Sequence, residues 1–441
     1  ISSRLPMVKQ QILNCDIVDL LHDGRGVGRI KGKAYFVEGG LPGESVEFQV
    51  TNEKRNYAEG RIRSISLASE HRVVPDCKHF FRCGGCSLQH LEHQQQIEFK
   101  QNQVLNSFER ANVKPESLLR PLSGSQWGYR RRARLAVQRA RDGQFIIGFR
   151  NSGSRRIEPI TECLVLDKPL AALLIVLPQW LKLLPADIAI FEIELVSADN
   201  AIAIALEASR RLKDDELAVV VKGIQSLGET ALQLWWKVGK NGHFRRLDGG
   251  AEQLYFKLSG NLKFYFEPGQ FIQVNGDINA KMVDQMLRLV SPSLSGVAVD
   301  LFCGTGNLSL PLSKQFKQVI GVEGLDGLVV GAAKNALENE ITNTQFFTAD
   351  LTKKNSLNQI EEIPKLLDLV VLDPPRSGAL DVMPWVAESG AKQVIYISCH
   401  PSTMARDAKY LLDAGYTIKD LGVLDMFPHT AHVEAMALFE K

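Results

Sequence analysis

The sequence predicts an α/β protein in which a small β-barrel precedes a parallel, helix-flanked sheet, and two patterns support this prediction. Over residues 1–68, short β-rich runs are separated by turn residues every eight to twelve positions, which is typical of a small barrel. After Pro268, apolar strands alternate with helical stretches, as in a parallel sheet. We therefore expect a barrel over 1–68, a β-rich central domain over 69–267 and the parallel sheet over 268–441.

Composition and charge narrow the functional classes. Of the 441 residues, 45% are hydrophobic and 23% are charged, which is ordinary for a globular protein. The net charge is only +2, so any nucleic-acid binding must come from local basic clusters. The most apolar stretch, 164–184, contains prolines and charged residues, so we expect no membrane span. No secretion signal is visible, and we expect a cytoplasmic protein.

The barrel is expected to have strands at 12–20, 27–30, 34–37, 45–50 and 61–65. The segments 22–28, with the sequence HDGRGVG, and 41–44, with the sequence LPGE, closely resemble the TRAM module, an OB-like RNA-binding domain. The resemblance implies that this barrel binds RNA. The alternative is a barrel that only stabilises the chain.

The central domain begins with an irregular stretch, 69–90, that holds three cysteines. A helix is expected over 91–120, where apolar residues recur at a rough helical spacing, and it could pack against either neighbouring domain. From 127 to 266 the pattern is β-rich, with alternating runs at 133–138, 145–149, 191–196 and 232–237.

A cofactor site is expected after the first strand of the parallel sheet, 297–302. The glycines in the segment 300–307, DLFCGTGN, let the backbone turn tightly and approach a ligand. Glu323 ends the next strand, where a carboxylate can accept hydrogen bonds from both ribose hydroxyls. The turn lacks a full G-x-G-x-x-G and a phosphate-loop lysine, so an adenosine-type cofactor without phosphates fits better than a dinucleotide.

Three reactive side chains are expected at the same edge of this sheet. Cys399 follows the strand 394–398, where the next helix could lower the pKa of its thiol. Glu434 stands at the head of the last strand. Asp373 ends the fourth strand, and the two prolines that follow it keep its loop extended.

These motifs resemble the RNA uracil-C5 methyltransferase family over nearly the whole chain, and this implies a class I, Rossmann-like methyltransferase domain. The resemblance implies S-adenosylmethionine as the cofactor, Cys399 as the covalent nucleophile and Glu434 as the base that removes the carbon 5 proton. It assigns cofactor contacts to Gln273, Phe302, Gly304, Asn307, Glu323, Asp350 and Asp373.

One position departs from the family pattern. The family usually has Asn after the nucleophilic cysteine, whereas this chain has His400, which we expect to shape the loop rather than to perform chemistry. Two further cysteines, Cys15 and Cys303, are expected to be packing residues.

The cysteine cluster consists of Cys77, Cys83 and Cys86, in a C-x5-C-x2-C pattern, with Cys163 as a fourth thiol. Four thiolates can bind either zinc or an iron–sulfur cluster, and the spacing alone leaves both open. The iron–sulfur branch of the family has the same pattern, so the resemblance implies a [4Fe-4S] cluster on these four residues. Its expected role is structural or in RNA binding, because methyl transfer contains no reduction step.

A basic stretch between residues 129 and 156 carries nine arginines, which supply phosphate contacts. The candidates for RNA contact are Arg130, Arg131, Arg132 and Arg134. The aromatic residues among the arginines, Tyr129, Phe145 and Phe149, could stack on unpaired bases. The alternative is a solvated strand face with its aromatic residues in the core.

The substrate follows from the combination of a TRAM module and a cysteine cluster. Within the family this combination resembles the bacterial branch that modifies uridine 1939 of 23S ribosomal RNA, which implies 23S rRNA as the partner. We expect a monomer that flips the target uridine into its pocket. The alternatives are another ribosomal uridine or a tRNA.

Two functions from other classes remain as alternatives. A non-catalytic RNA-binding protein or RNA chaperone on the same scaffold is disfavoured by the joint presence of Cys399, Asp373 and Glu434. A redox enzyme that uses the cluster is disfavoured because the sequence has no flavin or nicotinamide fingerprint.

Overall fold

The computed structural model describes residues 11–227 and 231–441, and these fall into two compact units. The barrel unit comprises the described residues up to Gln103, together with Arg150–Arg156 and Phe427–His432. The sheet unit comprises Val104–Phe149, Ile157–Met426 and Val433–Lys441, as far as they are described. The domain boundaries expected from the sequence stay predictions. Within the described ranges, no helix is long and apolar enough to cross a membrane.

Five strands close into a barrel in the order β1-β2-β3-β5-β4, which confirms the predicted barrel. They are β1 (Ile12–Leu20), β2 (Gly26–Ile30), β3 (Lys33–Glu38), β4 (Ser45–Glu53) and β5 (Tyr57–Leu67). Alternate residues of β4 point inward, so Val46, Phe48 and Val50 fill the barrel core. Cys15 packs against this core, as expected, and burial raises the pKa of its thiol to about 11.

The next elements are α1 (His93–Arg110) and β6 (Ser117–Leu118). The helix is shorter than the predicted 91–120, because Asn112 adopts a left-handed φ of 55°, a conformation that commonly ends helices. In the barrel unit, α1 buries the polar side chains of Gln96 and Lys100. In the sheet unit, its last turns contribute Val104 and Phe108 to the apolar core.

A seven-stranded sheet in the sheet unit has the order β13-β12-β11-β10-β7-β8-β9. This region contains β7 (Arg132–Arg139), β8 (Phe145–Arg150), β9 (Ile157–Pro159), α2 (Lys168–Trp180), β10 (Ile190–Ser197), β11 (Ile202–Ala208), α3 (Asp214–Gln225), β12 (Leu232–Val238) and β13 (Arg245–Arg246). The helices α2 and α3 were not predicted. Asp167, a residue type that favours the start of a helix, was the available sequence signal for α2. In the structure its side chain caps the helix by accepting a hydrogen bond from the Leu170 N–H.

The remaining strands and helices belong to a separate hairpin and to the predicted parallel sheet. They are β14 (Leu254–Leu258), β15 (Leu262–Phe266), α4 (Gly276–Leu289), β16 (Ser293–Leu301), α5 (Ser309–Leu312), β17 (Phe316–Glu323), α6 (Asp326–Glu338), β18 (Thr344–Thr348), β19 (Leu369–Leu372), α7 (Met383–Glu388), β20 (Gln393–Ser398), α8 (Pro401–Asp413), β21 (Thr417–Leu424) and β22 (Glu434–Glu440). Short 3₁₀ helices cover Leu181–Leu183, Ser259–Asn261 and Ser356–Gln359.

The large sheet has eight strands in the order β18-β17-β16-β19-β20-β22-β21-β6. The strands from β18 to β20 run parallel, which confirms the predicted α/β sheet, and β22 runs antiparallel to β20. Every residue of β19 and β20 is buried, as expected for central strands that are covered on both faces. The antiparallel direction of β22 was not predicted.

Candidate active site

One edge of the eight-stranded sheet gathers the polar residues that the sequence singles out, because parallel strands bring their carboxyl ends to the same edge. Glu323 ends β17, and the turn 302–307 follows β16. Asp373 follows β19, and Cys399 follows β20. Neighbouring strands lie about 4.8 Å apart, so the side chains from Glu323 to Cys399 occupy roughly 15 Å of this edge.

Cys399 and Glu434 meet at the antiparallel pair β20 and β22. Ser398, the last residue of β20, pairs with Ala435, the second residue of β22. Cys399 follows Ser398 and Glu434 precedes Ala435, so both residues lie at the same end of this strand pair. The charge of Glu434 acts on the Cys399 thiol, so the fold brings a carboxyl group near this thiol.

The pKa of the Cys399 thiol is raised. Burial is the largest cause, and the charges of Glu434 and Asp373 add to it, whereas Arg376 lowers this pKa. The pKa of this thiol is therefore raised and not lowered as the sequence suggested, because burial and two carboxyl groups outweigh the effect of Arg376.

The two carboxyl groups beside the thiol also hold their protons more tightly than usual. Burial raises the pKa of Asp373 to about 7. Burial, together with the charge of Asp373, raises the pKa of Glu434 well above its ordinary value. A carboxyl group with a pKa near 7, such as that of Asp373, is poised for proton transfer near neutral pH.

Asp300 is a third buried carboxyl group, and the sequence analysis did not assign it to the site. Burial raises its pKa to about 7, and the nearby charges of Asp373 and Glu323 contribute. Its Oδ2 accepts a hydrogen bond from Ser309, whereas its Oδ1 is buried without a partner. The available signal was an acidic residue near the end of an otherwise apolar strand.

The turn after β16 contains backbone conformations that most residues avoid. Phe302 has a φ of 63°, and Gly306 has a φ of 91°. A Cβ atom at Gly306 would lie 3.2 Å from Leu310 Cγ, so both the conformation and the space favour glycine. Strain in a bulky residue such as Phe302 is typical of ligand sites. Glu323 stabilises the turn, because its Oε2 accepts a hydrogen bond from the Gly304 N–H at 3.2 Å.

Two other predicted cofactor residues have side chains engaged within the protein. The side chain of Asn307 exchanges two hydrogen bonds with Asn279 of α4, at 3.0 and 2.9 Å. Asp350 is exposed beyond β18, where its carboxylate accepts a hydrogen bond from Thr352 at 2.6 Å and pairs with Lys353 at 3.1 Å.

Gln273, the last of the predicted cofactor residues, lies just before α4. Its neighbour Val274 accepts a hydrogen bond from the Arg131 N–H at 2.9 Å, and Asn275 bonds the Met426 carbonyl. The contacts of all these residues with a cofactor stay predictions.

A buried Tyr–Asp pair, which the sequence analysis missed, fixes the loop after Asp373. The Tyr396 hydroxyl donates to Asp407 Oδ2 at 2.7 Å, and the same oxygen accepts the N–H of Ala379 at 2.7 Å. These bonds tie the loop to β20 and α8. A tyrosine in an apolar strand gave no sequence signal beyond packing.

His400 begins α8 through its backbone. Its carbonyl accepts the N–H groups of Thr403 and Met404, both at 3.2 Å, while its side chain is exposed. This agrees with a role in shaping the loop. Cys303 is buried, as expected for a packing residue.

Among the arginines predicted to bind RNA, Arg132 has a structural position. Its side chain is 10% exposed and pairs with the buried Glu194 at 3.0 Å. It also donates to the Gln270 carbonyl at 2.7 Å. A guanidinium held in this way offers little surface to a phosphate, so the expected RNA contact of Arg132 does not fit its geometry.

The other three arginines are more accessible. Arg134 is 55% exposed, although it also reaches Glu194 at 3.1 Å. Arg130 donates to the Arg132 carbonyl at 2.9 Å, and Arg131 lies over the ring of Phe256. Their contacts with RNA stay predictions.

The aromatic residues of this basic stretch belong to the interior. Tyr129 and Phe145 are buried, and Phe149 packs against the same core that holds Phe145. The suggestion that they stack on bases is therefore wrong for Tyr129 and Phe145, and the alternative of core aromatics is confirmed for these two residues.

The cysteine loop, residues 76–90 of the barrel unit, is irregular. Cys77, Cys83 and Cys86 are partly buried, and the Gly85 N–H donates to Cys83 Sγ at 3.4 Å. Such N–H···S bonds are common around cluster thiolates. Over the described ranges, no group of three or more His, Cys, Asp or Glu side chains is arranged to hold a metal ion. The cluster stays a prediction.

Comparison with known families gives two matches along the chain. The model described as tRNA (Uracil-5-)-methyltransferase matches residues 92–441. The TRAM domain model matches residues 10–62, the region that forms the five-stranded barrel.

Similar proteins extend over the full length. A 23S rRNA (uracil(1939)-C(5))-methyltransferase of Pseudomonas fluorescens is 40% identical over 439 residues, which are 99% of this chain and 93% of that protein. The protein of the same name from Stenotrophomonas maltophilia is 39% identical over 433 residues, 97% of this chain and 96% of that protein.

A solved structure shares the fold. The Pyrococcus abyssi tRNA (uracil-54, C5)-methyltransferase in complex with S-adenosyl-L-homocysteine matches with a TM-score of 0.76 at 23% identity. The match covers 97% of this chain and 100% of that chain.

Proposed function

This chain belongs to the tRNA (uracil-5-)-methyltransferase family, and we propose that it methylates carbon 5 of uridine 1939 in 23S ribosomal RNA. It is an S-adenosylmethionine-dependent RNA uracil-C5 methyltransferase. What is proposed is the identity of the RNA substrate and of its target uridine. It is supported by the full-length relatives, whose names specify this uridine. Because the proposed substrate is ribosomal RNA, a cytoplasmic location belongs to the same proposal.

The competing substrate is tRNA, because the family model carries a tRNA name. Transcripts of a 23S rRNA fragment with the target uridine and of a full tRNA separate the two. We expect methyl transfer from labelled S-adenosylmethionine to the rRNA fragment, and loss of transfer when the target uridine is replaced by cytidine. Faster methylation of the tRNA would overturn the ribosomal assignment.

Cys399 is the nucleophile of the proposed mechanism. Its sulfur, as the thiolate, bonds to carbon 6 of the uracil ring, and the electron pair of the carbon 5–carbon 6 double bond moves into an enolate at the carbon 4 oxygen. Carbon 5 thereby becomes nucleophilic enough to take a methyl group. The bound methyl donor supplies this group as an electrophilic sulfonium methyl.

Glu434 completes the reaction as the general base. It takes the proton from carbon 5, the double bond re-forms, and the sulfur of Cys399 leaves as a thiolate. A carboxylate with a raised pKa is a stronger base than an ordinary one, and Asp373 contributes to that rise. The residues proposed to hold the donor are Gln273, Phe302, Gly304, Asn307, Glu323, Asp350 and Asp373.

The observation that supports this mechanism is the Glu434 charge acting on the Cys399 thiol, where β20 pairs with β22. Its test uses the RNA fragment with 5-fluorouridine at the target position, since fluorine at carbon 5 prevents the last proton removal. With methyl donor present, we expect a stable protein–RNA adduct on a denaturing gel for wild type and for Glu434→Gln. We expect none for Cys399→Ala.

The matched control is Cys15→Ala, which changes a thiol of the barrel and should leave the adduct intact. An adduct with Cys399→Ala would remove Cys399 from its role. Product formation by Glu434→Gln at the wild-type rate on normal RNA would remove Glu434 from the proton transfer.

A [4Fe-4S] cluster on Cys77, Cys83, Cys86 and Cys163 belongs to the same proposal. The proposal rests on the chemistry of four thiol donors and on the Gly85 N–H that donates to Cys83 Sγ. Protein purified without oxygen should show broad visible absorption that dithionite bleaches. Cys86→Ser should lose this absorption, and Cys15→Ser should keep it. Bound zinc without visible absorption would support the alternative metal and overturn the cluster.

A further inference from the structure

A cavity of about 560 Å³ lies inside the barrel unit and is separate from the residues proposed for methyl transfer. Its barrel wall includes Arg25, Glu59 and Arg61. Phe81 and His90 of the cysteine loop line the other wall, together with Cys83 and Cys86. This volume falls in the range of small-ligand sites, about 300 to 1,000 Å³.

His90 is the unexplained polar group of this cavity. Its side chain is 1% exposed, and neither ring nitrogen has a hydrogen-bond partner. Burial lowers the pKa of His90 to about 3, so the ring is neutral and carries one donor and one acceptor. Leaving both unpaired costs free energy that a ligand with a matching edge would recover.

Phe81 supplies an aromatic face beside this histidine. It is 42% exposed, and its backbone has a φ of 61°, which is strained for a bulky residue. Its ring lies 4.5 Å from the ring of Phe80 and 6.1 Å from that of His90, measured between centroids. An exposed aromatic ring held at a strained position is typical of a ligand contact rather than of a core residue.

The charges on the wall exclude charged ligands. Arg25 pairs with Glu59 at 2.9 Å and with Asp23 at 2.8 Å. Arg61 pairs with Glu38 at 2.8 Å. A phosphate would compete with these carboxylates, and a cation would meet the two guanidinium groups. A flat, neutral ring with donor and acceptor atoms on its edge suits the walls better.

We infer that this cavity binds one unpaired base of the RNA substrate, other than the target uridine, with its face on Phe81 and its edge on His90. The inference rests on the proposed RNA substrate. Stacking on an aromatic side chain is sequence-tolerant, while the histidine adds recognition of the base edge. The cavity would thus help to fix the register of the RNA.

The main test is Phe81→Gly, because glycine adopts the φ of this position without strain and the variant removes only the ring. We expect the Kd for the 23S rRNA fragment to rise roughly tenfold, as loss of one stacking contact implies. The yield of 5-fluorouridine adduct at saturating RNA should stay unchanged. The matched control is Tyr410→Ala, which removes an exposed ring of α8 and should leave the Kd unchanged.

A set of RNA fragments identifies the base. Each unpaired position except the target is replaced in turn by an abasic site. For wild type, we expect one abasic position to weaken binding roughly tenfold, and the same position to have no effect in Phe81→Gly. Equal effects of every abasic site in both proteins, or unchanged binding by Phe81→Gly, would overturn the inference.

A second variant, His90→Phe, removes the two unpaired nitrogens but keeps an aromatic ring of similar size. We expect higher thermal stability together with several-fold weaker RNA binding. Unchanged RNA binding would deny the histidine its part in recognition. Loss of the visible absorption in either variant would trace the effect to the cysteine loop and overturn the assignment to a base.

The source of the ligand and the proposed function are tested separately. Nucleoside monophosphates titrated without RNA should not bind below millimolar concentration, and tighter binding would assign the cavity to a free nucleotide and overturn the RNA source. Absence of any wild-type adduct with 5-fluorouridine RNA would defeat the proposed function. A normal adduct with unaltered Kd in Phe81→Gly would defeat only this inference.

Discussion

Asp373 follows β19 and Glu434 begins β22, with β20 between these two strands, and the charge of Asp373 raises the pKa of Glu434 beyond the effect of burial. Burial also raises the pKa of Asp373 itself, to about 7. Both carboxyl groups act on Cys399 and raise the pKa of its thiol. The three groups therefore titrate as a set, and a change in one should be visible in the others.

Asp373→Asn should lower the pKa of Glu434, because the variant removes a negative charge and leaves burial as the main cause of the rise. In the proposed mechanism, product release from the methylated adduct requires ionised Glu434, so the rate of release rises with pH. In Asp373→Asn, this rise should occur at lower pH. A single-turnover pH profile on normal RNA measures this rise. A rise at the same pH as in wild type, whatever the absolute rate, would contradict the coupling of the two groups.

The reactivity of Cys399 should increase with pH through the neutral and mildly alkaline range, since its pKa is raised and only the thiolate reacts. Glu434→Gln should shift this titration to lower pH, because it removes a charge that raises the pKa. Arg376→Ala should shift it to higher pH, because Arg376 lowers the pKa. Iodoacetamide alkylation of Cys399, followed by mass spectrometry, gives the rates. Shifts of the same sign in both variants would refute this assignment.

Asp300 should make the protein less stable as pH rises. Its folded-state pKa of about 7 exceeds the usual value, so the folded chain holds a proton that the unfolded chain releases at lower pH. The free energy of unfolding should therefore fall between pH 5 and pH 8, by up to about 3 kcal/mol from this group. Asp300→Asn should show a smaller fall in denaturant titrations at the two pH values. An equal fall would assign the pH dependence to other groups.

Arg132 and Arg134 should respond differently to removal. Arg132→Ala takes a partner from the buried Glu194 and should cost about 3 kcal/mol of stability. Arg134→Ala removes an exposed charge and should cost less than about 1 kcal/mol. The same variant should reduce the slope of log Kd for RNA against log salt by about one. Urea unfolding and filter binding measure these effects, and an unchanged slope would exclude a phosphate contact of Arg134.

Sequence patterns were most reliable where one local rule decides the structure. The alternation of β4 places Val46, Phe48 and Val50 in the barrel core, and the turn signals between strands are local as well. The apolar run of β20 and the glycine turn 302–307 were also readable along the chain. Helix α2 was missed although Asp167 offered a cap, because the surrounding pattern is β-rich.

Charge partners could not be read from the sequence, because they come from distant segments. Arg132 and Arg134 could not be distinguished within the basic stretch of the sequence. In the structure both pair with Glu194 of β10, but the Arg132 side chain is largely buried and the Arg134 side chain is exposed. The partner of Tyr396 was equally hidden in the sequence, because Asp407, which accepts its hydrogen bond, lies in helix α8. His90 was not singled out from the sequence, and only the fold shows that its buried ring nitrogens have no hydrogen-bond partner.

The sequence by itself determined the parallel sheet, the barrel and the reactive residue types, since strand periodicity and turn chemistry act over a few neighbouring positions. Only the tertiary structure decided how those groups behave. The antiparallel pairing of β22 with β20 brings Glu434 near Cys399, and burial raises the pKa of both groups. Burial and the proximity of charges control pKa values, and both arise from contacts between residues that are far apart in the chain.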